Sequence, residues 1–192
     1  MATRLLLIAH AATEATKAAR FPDDEPVTET AVATARQAAG GIRRPGTVLC
    51  GPERRCLDTC AALDLAATAE PALADLDLGA WRGAEMPQIQ SIDPEGFHAW
   101  LTDPDAAPHG GESITALLAR VEAFLDALPR EPSRVVAVTH PAVIRAAVLR
   151  VLEAPARALW NLDAAPLSQT HLSWNAGKWR LRETGHVLAF AD

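Results

Sequence analysis

The sequence predicts an α/β protein, a three-layer α/β/α sandwich around a mostly parallel sheet. Three observations predict it. The runs Leu5-Leu6-Leu7-Ile8-Ala9-His10 and Val135-Val136-Ala137-Val138-Thr139-His140 are continuously apolar, the pattern of strands buried on both faces. Strand-like and helix-like segments alternate along the chain, as a parallel sheet with covering helices requires. Both apolar runs also end on a histidine, which packing alone does not demand.

The 192 residues, 49% of them apolar and 22% charged, fit one soluble globular domain spanning 1–192. No apolar stretch approaches the roughly 20 residues needed to cross a bilayer, so a membrane role is not expected. Met1-Ala2-Thr3-Arg4 runs straight into a short strand, which argues against a secretory leader and for a cytoplasmic address. The net charge of −6 argues against a nucleic-acid partner, although a pocket can locally oppose the global sign. Cys50, Cys56 and Cys60 have no C-x2-C unit, so they read as small apolar residues of a reducing compartment, not as a metal site.

Taken in order, the first strand covers Arg4 to His10. Thr13 to Pro26, with Pro22, Asp23, Asp24 and Pro26, reads mostly as loop. Thr28 suits an N-cap for a helix to Ala39, and Gly40-Gly41 stops it. Thr47 to Cys50 is a second strand between Pro45-Gly46 and Gly51-Pro52. The next helix, from Glu53, opposes its own macrodipole with Arg54 and Arg55 in the first turn. A buried anion held there would explain the pair; two solvated arginines is the plainer account.

A short strand is expected at Pro71 to Leu73, then an irregular loop from Asp75 to Gly83. Ser91 to Trp100 reads as a helix interrupted by Pro94, and Met86 to His109 as a loop that lids the site. Ser113 caps the clearest helix, with Ile114, Leu117, Leu118, Val121, Leu125 and Leu128 on one face. After the second histidine strand, Pro141 suits the first position of a buried helix to Leu152. Thr170 to Trp174 and Lys178 to Arg182, joined at Asn175-Ala176-Gly177, form a hairpin.

Ligands of open α/β sheets sit beyond the carboxyl ends of the strands. His10 and His140 lie at such ends, and Arg55 follows closely from a third. Two imidazoles and a guanidinium at one sheet edge suit a phosphoryl group, one ring as nucleophile and the other groups on the equatorial oxygens. His98, His109, His171 and His186 share no spacing and read as surface or structural residues.

On these residues the chain resembles the histidine phosphatase superfamily, the phosphoglycerate-mutase-like fold, over nearly its whole length. The family's Arg-His-Gly-x-Thr stands here as Ala9-His10-Ala11-Ala12-Thr13, and its Pro-Leu-Thr helix start as Pro26-Val27-Thr28. Ser-Pro-x-x-Arg-Ala-x-x-Thr stands as Gly51-Pro52-Glu53-Arg54-Arg55-Cys56-Leu57-Asp58-Thr59. Leu73 to Gly83 matches a Leu-x-Glu-x-x-x-Gly-x-Trp-x-Gly box, and Gly110-Gly111-Glu112-Ser113 is intact.

The resemblance implies a phosphatase acting on a small phosphorylated metabolite, without metal or organic cofactor. His10 would be the phosphorylated nucleophile, Arg55 and His140 would hold the phosphoryl group, and Asp75 would stand where the family's acid is usually glutamate. Thr13, Thr16, Arg20 and Glu112 would complete substrate binding. The small size and tryptophan-bearing hairpin look like the family members acting on α-ribazole phosphate. The departures fall on the phosphate cradle: Ala9 for arginine, Ala11 for glycine, Thr16 for asparagine and Pro141 for glycine. Arg20, ahead of Arg82 and Arg54, is the expected replacement cation. The alternative is an inactive member that binds an anionic ligand or a protein partner.

Overall fold

The computed structural model describes residues 3–42 and 45–188; Met1 and Ala2, which the sequence reading placed ahead of the first strand, lie outside them. The strands are β1 (Thr3–Ala9), β2 (Thr47–Cys50), β3 (Thr68–Ala69), β4 (Arg134–Thr139), β5 (Ser168–Asn175) and β6 (Lys178–Val187). The helices are α1 (Glu14–Lys17), α2 (Glu29–Ala38), α3 (Arg54–Ala62), α4 (Met86–Ile92), α5 (Pro94–Thr102), α6 (Ile114–Ala127) and α7 (Pro141–Leu152). The strands make one sheet in the order β3-β2-β4-β1-β5-β6. β1 to β4 run parallel, and the β5–β6 hairpin joins β1 antiparallel.

Alternation along the two central strands explains why both are wholly apolar. Leu5, Leu7, Val135 and Ala137 pack with Leu117 and Val121 of α6 and with Val143, Ile144 and Ala147 of α7. Ile8, Val136 and Val138 point the other way, against Ala35 and Ala38 of α2 and Cys56 and Cys60 of α3. Each strand therefore needs apolar residues at every position. The register Ile8↔Val138, Ala9↔Thr139 brings the C-terminal ends of β1 and β4 level, so His10 and His140 emerge side by side.

Two local expectations are corrected. Pro71–Leu73 is a 3₁₀ turn, not a strand, and β3 lies just before it. Proline has no N–H for a ladder, and Glu70 caps the turn by accepting from Ala72 N at 3.0 Å. The segment from Thr13 to Pro26 is mostly loop as expected, with the short α1 nucleated by a reciprocal capping box of Thr13 and Thr16. Residues 86–102 are two packed helices rather than a lid loop. Asp93 ends α4 and caps α5 through Gly96 N at 2.9 Å, while Ile89 and Trp100 bury themselves in the main core. Trp100 meets Phe21, Trp81, Phe97 and Trp160 edge-on or tilted, with ring centroids 4.6–5.8 Å apart.

Candidate active site

The C-terminal edge of β1, β2 and β4 assembles the site. His10 is almost fully buried, and its Nδ1 lies 2.8 Å from the Ala11 carbonyl. A carbonyl only accepts, so the proton sits on Nδ1 and the lone pair on Nε2. Ala11 N donates to Thr59 Oγ1 at 2.9 Å, and Thr59 donates to the Arg55 carbonyl at 2.6 Å. One hydroxyl thus ties the loop after His10 to α3. Ala11 is sealed in the α2–α3 core and takes no left-handed backbone angle, so it fits in place of glycine without strain.

The His140 ring stands 5.2 Å from that of His10, inclined at 60°. The two arginines that oppose the α3 macrodipole part company. Arg54 is exposed, near Asp58, whereas Arg55 is buried and donates from Nη2 to Asp75 Oδ2 at 2.6 Å. The same Asp75 oxygen lies 3.3 Å from His140 Nδ1. Arg55 Nε and Nη1 and His140 Nδ1 are buried with no hydrogen-bond partner. Buried polar atoms left open at one place call for a partner from outside the chain, such as water or a ligand.

The electrostatics follow from this packing. Burial first, then the neighbouring charges of His140 and Arg55, push His10 down to about 4, so its ring is neutral near pH 7. Burial alone would raise the Asp75 carboxyl, but His140, Arg55 and His10 outweigh it and hold it below the ordinary carboxylate range.

Two residues escaped the sequence reading. Glu53 accepts from Asp75 N through Oε1 at 2.9 Å and meets His140 Nε2 through Oε2 at 2.7 Å. It occupies a variable position of its box, so no motif singles it out. Arg120, on α6, grips the Glu112 carboxylate in a two-pronged contact at 2.9 and 2.7 Å. Its remaining protons go to the carbonyls of Ala72, Ala74 and Asp75. Glu112 therefore braces the segment that carries Asp75. Backbone contact fixes the same crossing: a Cβ at Gly111 would stand 2.0 Å from the Asp77 carbonyl, so nothing larger fits.

A cleft at this edge encloses about 240 Å³ and is lined by Pro22, Asp23, Asp24, Glu53, Arg55, Asp75 and Arg82 among others, with the two histidine rings outside its lining. A larger cavity of about 720 Å³ lies at the opposite end of the strands, beside Arg4 and Arg134, away from both histidines. Chemistry, not size, picks the smaller one. Of the candidate replacement cations, Arg82 lines the cleft; Arg20 and Arg54 do not. Thr13 and Thr16 hydroxyls are engaged with each other in their cap. Ala9 is fully buried in the main core, and Pro141 occupies the first turn of α7, directly after His140. His109 accepts from Gly111 N at 3.0 Å beneath Trp81, a structural place.

Glu53, Cys56 and His140 present ligand atoms within 4.8 Å of one another. The 2.7 Å between Nε2 and Oε2 is a hydrogen-bond length. Two ligands each ~2.0–2.1 Å from a tetrahedral zinc would stand about 3.3 Å apart, so the pair is set for a shared proton.

The chain matches the family model of the Histidine phosphatase superfamily (branch 1) over residues 5–186. A bifunctional protein of Mycobacterium tuberculosis is 32% identical over 86% of the chain and 49% of its own length; the chain thus spans about half of that relative. Glucosyl-3-phosphoglycerate phosphatase of the same organism is 30% identical over 94% of the chain and 93% of its own length. The native structure of the mycobacterial enzyme superposes with a TM-score of 0.80 at 29% identity, over 94% of this chain and 97% of that one. Adenosylcobalamin/alpha-ribazole phosphatase of Salmonella typhimurium is 28% identical over 82% of the chain and 84% of its own length.

Proposed function

The chain belongs to the histidine phosphatase superfamily, and on that premise we propose that it hydrolyses a small phosphomonoester through a phosphohistidine at His10. The observation that carries this reading is the arrangement around one empty-handed set of polar atoms. His10 offers a neutral Nε2, and it is joined there by Arg55 Nε and Nη1 and by His140 Nδ1, all buried without a partner.

Asp75 Oδ2 lies where a phosphoryl oxygen would be held, against Arg55 and His140. An arriving dianion competes for Arg55 and displaces the carboxylate. Freed of Arg55 but still buried, the Asp75 carboxyl moves upward and takes a proton. Substrate binding thereby creates the acid. Nε2 of His10 then forms the P–N bond as the P–O ester bond breaks, and Asp75 gives its proton to the leaving oxygen. In the second half, Asp75 accepts a proton from water, whose oxygen attacks phosphorus, and the P–N bond breaks to release phosphate and His10.

The cleft's modest volume and its Leu76 and Leu78 walls beside Arg82 support a compact ester with some apolar surface. α-Ribazole phosphate and glucosyl-3-phosphoglycerate, named for two relatives, are the first esters to try. The test is turnover of an aryl phosphate and of these esters, with trapping of acid-labile phosphoprotein. Wild type should give both signals and His10→Ala neither. If wild type binds phosphate but turns nothing over and traps nothing, the buried alanine at position 9 has left a binding protein instead.

A further inference from the structure

We propose that Glu53 is a positioning residue for His140: its carboxylate claims the Nε2 proton, so that His140 can meet a phosphoryl oxygen only through Nδ1 and as an imidazolium. This rests on the phosphate-binding reading above and adds a cation to a cradle that lacks one at Ala9.

The geometry assigns the protons. His140 is fully buried, so its ring nitrogens must find protein partners. Glu53 Oε2 stands 2.7 Å from Nε2. The Glu53 carboxyl, which burial alone would raise, is held down by His140 and by the Asp75 N–H, so it is ionised and only accepts. Two facing lone pairs at that distance would repel, so the proton lies on Nε2. Cys56 Sγ, 3.3 Å from the same nitrogen, is a buried thiol pushed upward and offers only a weak contact. Nδ1 is left buried, without a hydrogen bond, and turned toward Asp75. To donate there while Nε2 donates to Glu53, the ring must carry both protons.

The sequence around Glu53 fits this task. The family box opens with serine where this chain has Gly51. A Cβ at 51 would lie 2.8 Å from His140 Nε2 and 3.0 Å from Glu53 Oε2. The space beside the ring therefore belongs to the carboxylate. The same carboxylate accepts from Asp75 N, so one side chain sets the ring and the backbone of the residue opposite it. Elsewhere, a carboxylate behind a catalytic imidazole fixes its tautomer in this way, and its amide replacement is costly.

Long-range proton–nitrogen spectra of His140 test the proposal without relying on turnover. Free wild type should show the proton on Nε2, and the inorganic-phosphate complex should show both nitrogens protonated. Glu53→Gln keeps an oxygen for Asp75 N but presents an amine to His140, so the bound ring should carry its proton on Nδ1 alone. Phosphate affinity by calorimetry should weaken at least tenfold. An unprotonated Nε2 in free wild type, or phosphate binding by Glu53→Gln within twofold of wild type, would overturn it. Should Glu53→Gln fail to fold, the wild-type spectra decide alone. Wild type that binds no phosphate refutes the phosphatase reading, while Nε2–H in the free protein still reports on Glu53.

Discussion

Asp75 Oδ2 lies 2.6 Å from Arg55 Nη2, a charge-assisted bond between two largely buried side chains. Such a pair inside a cleft is an internal stand-in for an anionic ligand: the guanidinium is neutralised until something more negative arrives. Its two members also want opposite things from substrate. Arg55 gains a dianion, and Asp75 loses the cation that keeps it ionised.

Asp75→Asn separates those effects. The amide cannot compete as well for Arg55, so inorganic phosphate should bind several-fold tighter by calorimetry. It cannot protonate a leaving oxygen either, so kcat should fall about a hundredfold or more for alkyl esters, within the range of acid–base catalysis. An aryl ester, whose leaving oxygen needs less help, should lose much less. Equal losses on both ester types would show that Asp75 is not the acid.

Arg120 gives a second expectation. Its guanidinium joins Glu112 to the carbonyls of Ala72, Ala74 and Asp75. Lysine has no planar fork and cannot make all of these contacts. Arg120→Lys should therefore lower stability by about 1–3 kcal/mol, through carbonyls left short of donors. Activity should fall further than stability predicts, because the segment carrying Asp75 loosens. Denaturant unfolding alongside kcat/KM checks both.

The sheet was legible because burial on both faces leaves an unmistakable apolar run, and Leu5–His10 and Val135–His140 are such runs. That His10, His140 and Arg55 would meet at one sheet edge was legible from the strand ends they follow, whereas Asp75 was named only through the family box. Glu53 was not legible, since its value comes from a contact with His140 across 87 positions. Thr16 caps α1, a role that sequence does not distinguish from that of a substrate donor. Arg82, not Arg20, lines the cleft, and a loop position does not say which way a side chain faces. The helix read over Ser91 to Trp100 is two helices, α4 and α5, whose Pro87 and Pro94 stand near helix starts where proline is welcome.

Thr59 links the loop after His10 to α3, accepting from Ala11 N and donating to the Arg55 carbonyl. Thr59→Val keeps the shape and removes both bonds. A buried N–H left without a partner costs about 1–3 kcal/mol, so thermal unfolding should come earlier. His10 is hinged to that loop through the Ala11 carbonyl, so phosphoprotein formation should slow as well. A variant with unchanged stability would mean that water replaces the hydroxyl.

The pH dependence follows from His10. Its ring sits at about 4 in the folded protein against 6.5 in an ordinary setting, chiefly through burial and then through the charges of His140 and Arg55. Nucleophilic attack needs the neutral ring, so kcat/KM should be insensitive to His10 near neutrality and fall as pH drops through about 4. Stability carries the same sign over a wider window. Between about 6.5 and about 4 the unfolded chain binds the proton that the folded ring refuses. Protonation therefore favours unfolding, and stability declines as pH falls across that window, by about 3 kcal/mol for this group. His10→Gln, which cannot take up that proton, should flatten the decline between those limits in denaturant titrations. An unaltered slope in the variant would place the acid sensitivity on other groups.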